Sequence, residues 1–248
     1  MQLHLMTWIE VEGYLQHSQG IIIPIGSTEQ HGPMGLIGTD CICPSTIADR
    51  VGKEADILVG PTINLGMAQH HLAFPGTISL RPTTLIALIK DYVTSLSRNG
   101  FRRFYFLNGH GGNINTVQTA FAEIYADWSF RPVDQSAGIR CKLANWYAMP
   151  EVVKLSQELY ADKEGHHATP SEIAVTQYAY PENIKSVELT ELEPYTRFPS
   201  DAVDFRICFP DGRIRADSAL ARPEHGARFV DICVQAVKKE YTDFVEAD

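Results

Sequence analysis

Short apolar segments alternate with longer amphipathic segments along this 248-residue chain, and that alternation constrains the fold more than any other feature. The segment 21–25 is a continuous apolar run that ends in a glycine, which is typical of a buried strand. Further strands are predicted at 57–59, 104–107 and 139–143, and helices at 44–54, 83–98, 113–128, 170–180 and 222–241. Such alternation predicts a mainly parallel sheet with helices on both faces. The length suits one domain that spans residues 1–248.

The composition excludes several classes of protein. Hydrophobic residues make up 44% and charged residues 21% of the chain, as in an ordinary globular protein and unlike a disordered or fibrous one. The chain carries 21 basic and 30 acidic residues, a net charge of −9, which argues against a nucleic-acid partner. No apolar run is long enough to span a membrane, and the first ten residues do not resemble a signal peptide. The five cysteines are an odd number without a disulfide pattern, so we expect reduced thiols in the cytoplasm.

Polar segments follow two of the predicted strands directly. Residues 26–40 come after the first strand, and residues 108–113 come after the strand at 104–107. In open parallel sheets, ligands bind beyond the carboxyl ends of the strands. The two segments are therefore expected to meet at one edge of the sheet.

The segment 26–40 contains two carboxylates and one imidazole. Glu29 and His31 are two residues apart, so their side chains point to the same side of an extended segment. Asp40 can return to that point after a glycine- and proline-rich turn. Together the three side chains form a plausible ligand set for Zn²⁺, Mn²⁺ or Fe²⁺. The alternative is a polar loop in which Asp40 caps the next helix, and this segment alone favours that alternative.

The segment 108–113, Asn-Gly-His-Gly-Gly-Asn, places one imidazole among glycines. Its glycines do not match the G-x-G-x-x-G pattern of dinucleotide-binding loops, and no Gly-Lys-Ser/Thr follows. A lone histidine at the end of a strand is more often structural than a ligand. Because Glu29, His31 and Asp40 are expected at the same edge, the location favours His110 as a ligand.

Residues 165–172 support two interpretations. Thr169 as N-cap, Pro170 in the first turn and Glu172 three residues after the cap form a capping box, and local rules favour this role. In the functional interpretation, Glu172 is a metal ligand and His167 donates or accepts a proton. A helix cap does not need the two consecutive histidines, His166 and His167, that precede it.

Three further residues are candidates for contact with a substrate. His71 belongs to a loop ordered by a Pro-Gly turn, and the wall of a substrate pocket suits it better than a metal site. Trp146 follows a predicted strand, and His166 precedes the proposed proton carrier. We expect these three side chains to line the substrate pocket.

Several of these segments resemble motifs of the creatininase family, in the same order along the chain. Residues 25–40 resemble the family signature G-S-x-E-Q-H-G-P-H-L-P-L-x-T-D, and residues 108–113 are identical to its N-G-H-G-G-N. Residues 71–77 are similar to H-x-x-F-P-G-T, residues 167–172 to H-A-G-x-x-E, and residues 216–226 to the closing segment of the family. The resemblance covers the chain from about residue 20 to about residue 235.

The resemblance implies a three-layer α/β/α fold, a homohexamer and a centre of two divalent metal ions, Zn, Mn or Fe. The positions that match the family's metal ligands are Glu29, His31, Asp40, His110 and Glu172, with Asp40 at the bridging position. His167 matches the histidine assigned to proton transfer. Several members of the family hydrolyse C–N bonds of cyclic or linear amides. The implied partner of the chain is thus a small-molecule amide rather than a nucleic acid or a membrane.

The chemistry of these residues agrees with that implication. Two divalent ions lower the pKa of a water that they share, so that a bridging hydroxide is available near neutral pH. His167 can protonate the departing amine, and Glu172 is expected to take part in catalysis as well as in metal binding. The pocket segments Met34-Gly35-Leu36-Ile37 and Thr169-Pro170-Ser171 depart from the family pattern, which argues against creatinine as substrate.

The sequence therefore predicts a metal-dependent amidohydrolase that acts on a small cyclic or formyl-type amide. One alternative is a metal- or metabolite-binding protein of the same fold without efficient turnover. Another is a hydrolase that acts on a peptide or a non-amide bond.

Overall fold

A computed structural model describes residues 1–132, 138–191, 197 and 199–247. Its sheet contains three parallel strands in the order β1-β2-β3: β1 Gly20–Ile25, β2 Arg103–Asn108 and β3 Arg140–Asn145. The α-helices of the described residues are α1 Trp8–Tyr14, α2 Thr39–Ala55, α3 Pro82–Ser97, α4 Ile114–Ser129, α5 Pro150–Tyr160, α6 Pro170–Ala179, α7 Ala202–Cys208 and α8 Pro223–Glu246. None of these helices is both long and apolar enough to cross a membrane.

The two faces of the sheet bury separate hydrophobic clusters, because successive side chains of a strand point to opposite faces. Ile21 and Ile23 of β1 pack with Phe104 of β2 against α3 and α4. Ile22 and Tyr105 face the other way and pack against α2, α5 and α8. Helices thus cover both faces of a parallel sheet, which confirms the predicted three-layer α/β/α fold.

Two predicted elements differ from the structure near β1. The predicted strand at 57–59 forms isolated parallel bridges to β1 through Val59 and, beyond it, Ile63, rather than a full strand. Helix α2 begins at Thr39, five residues before the predicted start at Pro44. Proline favours the first turn of a helix, but here Pro44 lies inside α2. Because proline has no N–H, the carbonyl of Asp40 lacks its usual helical partner.

Three short helices were not predicted. Helix α1 begins with a capping box between Thr7 and Glu10, α5 begins with Pro150, and the side chain of Asp201 caps α7. The remaining predicted helices and strands are present within a few residues of their expected bounds. All five cysteines are free, as the sequence predicts.

Candidate metal centre

The carboxyl edge of the sheet brings the polar segments together because glycines allow close backbone contact. Gly26 follows β1, and Gly109 follows β2. A Cβ atom at either position would collide with the carbonyl oxygen of Asp40 in the first turn of α2. The two glycines therefore let the start of α2 lie directly on the ends of both strands, which places Asp40 at the centre of this edge.

Two asparagines hold the loop that carries His110. The side-chain amide of Asn108 donates to the carbonyl of His110 at 2.7 Å, and the amide of Asn113 donates to the carbonyl of Gly26 at 2.9 Å. Asn113 also accepts from the backbone N–H of Met67 at 3.0 Å. These bonds join the loops after β1 and β2, so they fix the imidazole of His110 relative to residues 26–40.

Asp40 lies between two imidazoles. Its Oδ1 is 3.1 Å from Nε2 of His31, and its Oδ2 is 3.0 Å from Nδ1 of His110. The other nitrogen of His110 lies 3.3 Å from Oε2 of Glu29. All four side chains are buried. The carboxylate of Asp40 does not cap α2, whose N-cap is Gly38 without a side-chain bond, so the capping alternative for Asp40 is wrong.

Glu172 is both a cap and a member of the cluster. The backbone N–H of Thr169 donates to its Oε1 at 2.6 Å, and a reciprocal bond completes the capping box of α6. The same Oε1 lies 3.9 Å from Nε2 of His31. The two interpretations of Glu172 therefore do not exclude each other, since the cap orients the carboxylate toward the histidine.

The donor atoms fit divalent metal ions. Both carboxylate oxygens of Glu29 and Oδ2 of Asp40 are buried, and imidazole nitrogens of His71 and His110 lie 3.0–3.3 Å from them. Carboxylates packed this closely are costly to bury unless cations, either protonated imidazoles or metal ions, balance their charge. Among the residues that the structure describes, ligand atoms within 4.8 Å of one another form three groups: Glu29 with Asp40 and His110, His31 with Asp40 and Glu172, and Glu29 with His31 and His167. The first two groups share Asp40. Mixed nitrogen and oxygen donors of this kind suit Zn²⁺ or Mn²⁺.

The same burial shifts the ionisation of the cluster. Burial raises the pKa of Glu29 and of Glu172 to about 7 in each case. Burial opposes the charged form of His31, but the charge of Asp40 outweighs it and raises the pKa of His31 to about 10. For His110, burial is likewise outweighed by Glu29 and Asp40, and its pKa rises to about 9. Without a metal ion, the cluster thus retains protons at neutral pH.

Gln30, which the sequence analysis did not single out, orients two histidines. Its Oε1 accepts from the N–H of Gly32 at 2.8 Å, which fixes the orientation of the amide. Its Nε2 lies 2.8 Å from Nδ1 of His71 and 3.1 Å from the carbonyl of Gly212, so these two acceptors use both amide hydrogens. Nε2 of His167 lies 2.8 Å from the backbone carbonyl of Gln30 and donates to it.

This count of donors assigns the tautomer of His167. Burial lowers the pKa of His167 well below its ordinary value, so the ring is neutral and carries one proton, at Nε2. The unprotonated Nδ1 faces the cluster, 3.8 Å from Oε1 of Glu29. His71 accepts from Gln30 at Nδ1, and its Nε2 lies 3.3 Å from the same oxygen of Glu29.

A cavity of about 370 Å³ opens onto the cluster. Its lining includes the cluster residues Asp40, His110 and Glu172, together with His167, and also Tyr147, Glu164 and His166. His166 therefore lies on the pocket wall. His71 does not line this cavity, contrary to the expectation from the sequence, because it is buried in contact with Glu29.

Trp146 also does not line the cavity, contrary to the expectation from the sequence. Only 1% of this residue is exposed, and it packs in the core between the sheet and α2 and α8. The short turn Trp146–Ala148 that follows β3 directs the indole inward. Its neighbour Tyr147 lines the cavity instead. Neither Tyr147 nor Glu164 belongs to a motif that the sequence could have marked.

Comparison with known proteins places the chain in a family. The sequence profile described as "Creatininase: Creatinine amidohydrolase" matches residues 4–240. A creatinine amidohydrolase of Pseudomonas putida is 24% identical over 241 residues, which cover 94% of this chain and 92% of that protein. A mycofactocin precursor peptide peptidase of Mycolicibacterium smegmatis is 36% identical over 108 residues, 41% of this chain and 43% of the peptidase.

A third relative aligns over a longer part of the chain than the peptidase does. This protein, a 3-dehydro-scyllo-inosose hydrolase of Thermotoga maritima, is 28% identical over 202 residues, 80% of this chain and 62% of that protein. The alignments thus span less than half of the peptidase and less than two thirds of the inosose hydrolase.

Solved structures show the same fold. A structure named "Creatininase Mn" has a TM-score of 0.84 at 22% identity, and the match covers 99% of both chains. A mutant creatininase of the Zn-Zn type has a TM-score of 0.84 at 22% identity, with 99% of this chain and 98% of that chain covered. Because the family profile spans nearly the whole sequence, the chain belongs to the creatininase family of amidohydrolases.

Proposed function

We propose that this hydrolase binds two divalent metal ions and cleaves a C–N bond of a small cyclic or formyl-type amide. Glu29, Asp40 and His110 would hold one ion, and His31, Asp40 and Glu172 the other. The observation that carries this proposal is the packing of buried carboxylates and imidazoles into two ligand groups that share Asp40, with the ligand atoms of each group within 4.8 Å of one another. When bound, such ions supply an activated water and polarise the carbonyl of the substrate.

His167 supports the proton transfers of the reaction. Its unprotonated Nδ1 faces the cluster, so it can accept a proton there from the attacking water. The protonated ring can then give that proton to the nitrogen of the departing amine. Gln30 keeps the other ring nitrogen occupied, and the carbonyl of Gln30 stabilises the doubly protonated ring that forms between the two transfers.

Glu172 orients the cluster from the other side. Its carboxylate is fixed by the N–H of Thr169, so the start of α6 determines its position relative to His31. We propose that Glu172 acts in catalysis through this fixed charge, which balances the positive charge near the reacting carbonyl. His166 and Tyr147 on the pocket wall would contact the substrate.

A second candidate function is the hydrolysis of a peptide or non-amide bond. Two relatives are named as a peptide peptidase and as a 3-dehydro-scyllo-inosose hydrolase, and they align over 108 and 202 residues. The proposed cluster suits these reactions equally, because each needs an activated water and a polarised carbonyl. The pocket, and not the cluster, therefore determines which bond is cleaved. An assay of each substrate class would identify that bond.

The test is the metal content per chain, measured by elemental mass spectrometry on protein purified without a chelator, followed by assay of formamides, lactams and short peptides. About two ions per chain are expected. His110→Ala should lose metal and activity, whereas His4→Ala, which removes an exposed imidazole, should lose neither.

Three outcomes would contradict the proposal. One ion per chain would leave Glu172 as a helix cap only, and no bound metal after addition of Zn²⁺ or Mn²⁺ would exclude the proposed chemistry. Two bound ions without turnover of any substrate class would favour a binding protein.

A further inference from the structure

A second, larger cavity of about 720 Å³ lies beside the first. Helix α7 and the segment after it provide its apolar wall, with Ala202, Phe205, Phe209 and Ile214. The lining also includes Gln69, His70 and His166, and the polar residues Ser200, Asp201 and Arg215. The volume falls in the range of pockets that enclose small organic molecules.

The second cavity adjoins the proposed site through two pairs of histidines. His166 lines both cavities. His70, in the wall of the second cavity, precedes His71, whose ring stacks on His167 with centroids 4.4 Å apart. Phe205 packs edge-on against His71 with centroids 4.6 Å apart. The apolar wall is thus connected to the proposed proton carrier by direct ring contacts.

We propose that the second cavity receives the amine part of the substrate. The inference rests on the proposed function, in which His167 protonates the departing nitrogen. Hydrolysis breaks the C–N bond, forms a C–O bond from water and transfers a proton of that water to nitrogen. The nitrogen must lie within hydrogen-bond reach of His167, and the substituent on it then extends past His166 toward Phe205.

The lining indicates the chemical class of that substituent. The rings of Phe205 and Phe209 pack at a tilt with centroids 4.9 Å apart, and with Ile214 and Ala202 they form an apolar surface. The carboxylate of Asp201 is already engaged as the cap of α7, since it accepts from the N–H of Asp204 at 2.9 Å. The substrates are therefore amides whose amine carries a neutral, apolar group of the size of an aromatic ring.

The experiment compares two formamides that differ only in the amine, N-methylformamide and N-benzylformamide. Their dissociation constants are measured by ligand-observed NMR on the metal-loaded protein, and their hydrolysis is followed in parallel. Burial of the ring should make N-benzylformamide bind at least about tenfold more tightly. Ala202→Trp, which places an indole on the apolar wall one helical turn from Phe205 where the benzyl ring would bind, should abolish that difference. Val203→Trp, on the exposed side of α7, should preserve it.

The outcomes separate the two proposals. Equal binding of the two formamides, or an equal effect of both tryptophan variants, would overturn the cavity inference whether or not hydrolysis occurs. Tighter binding of the benzyl compound that is lost in Ala202→Trp, but without hydrolysis, would support the cavity and contradict the proposed amide cleavage. If circular dichroism shows that the tryptophan variant is misfolded, Ala202→Leu repeats the test with a smaller side chain.

Discussion

The substitution Glu29→Gln tests whether the cluster is built for a cation. Glu29 is fully buried, and its two carboxylate oxygens lie 3.3 Å from Nε2 of His71 and from Nε2 of His110. Burial raises its pKa from the ordinary value of 4.5 to about 7. That difference corresponds to about 3 kcal/mol between the charged and neutral forms. Glutamine has the same shape and no charge, so the variant does not incur this cost.

The sign of the pH effect follows from proton linkage. The folded pKa of Glu29 lies above the unfolded one, so the folded metal-free protein binds more protons between the two values. Its free energy of unfolding therefore falls as the pH rises from 4.5 to about 7. In Glu29→Gln this loss should be absent. At slightly alkaline pH, the metal-free variant should be more stable than the wild type by up to about 3 kcal/mol, less any cost of burying the amide.

Addition of metal should reverse the order of stability. A ligand at a thousandfold excess over its dissociation constant stabilises the folded state by about 4 kcal/mol. The wild type should gain this stabilisation, whereas the variant lacks the carboxylate that two imidazoles and Asp40 surround. Thermal unfolding with a chelator and with excess Zn²⁺ or Mn²⁺, at pH values on both sides of 7, measures both effects. Glu123→Gln, at an exposed ion pair with Lys90, is the control and should change stability little.

Two results would contradict the proposed role of Glu29 as a metal ligand. If the metal-free variant is less stable than the wild type throughout the pH range, the carboxylate stabilises the fold without a cation. If metal then raises the melting temperature of both proteins equally, Glu29 is not a ligand. Either result would show that the buried carboxylate of Glu29 is not evidence for a bound metal ion.

Three further predictions concern the same cluster. Metal binding at about pH 7 should release protons, because His31 and His110 are protonated below pKa values of about 10 and 9; calorimetry in two buffers of different ionisation enthalpy measures the number. Gln30→Leu should lower kcat by about tenfold and change the pH–rate profile, since His71, whose ring stacks on His167, loses the amide donor at Nδ1 that fixes its tautomer, while metal content stays unchanged; an unchanged profile would refute the positioning role. Thr169→Ala should destabilise the metal-free protein by about 1 kcal/mol and weaken metal binding, whereas Thr169→Ser should do neither, as thermal unfolding and metal titration would show.

Much of the fold could be predicted because hydrophobic periodicity is strong in its longer elements. Helix α3 buries Leu85, Ile89 and Val93, which recur at the spacing of one helix face. Helices α1 and α7 have seven residues each, too few for periodicity to distinguish them from a turn. The start of α2 was misplaced because proline is a common first-turn residue, and only the packing of Asp40 on the strand ends shows that the helix begins earlier.

The candidate site was predicted less completely, for a related reason. The segments with Glu29, His31 and His110 could be expected together because parallel strands end at one edge. Gln30 lies between two candidate ligands in the sequence, yet its side-chain amide donates to His71 and Gly212, and its backbone carbonyl accepts from His167, all far away in the chain. Such contacts have no local signature. Trp146 was misplaced because the turn after β3, and not the strand itself, sets the direction of its side chain.

The cluster lies on helices that pack against the core, whereas the second cavity lies outside the central sheet. This difference affects how substrate specificity can change. The cluster residues Asp40 and Glu172 lie in the first turns of α2 and α6, which pack on each other and on the core. The apolar wall of the second cavity comes from α7 and from residues 209–215, outside the central sheet. Substitutions there can change pocket shape without disturbing the ligands. Relatives named for creatinine, a precursor peptide and an inosose are consistent with a shared centre and variable walls, so the identity of the substrate should be sought around Phe205 rather than among the ligands.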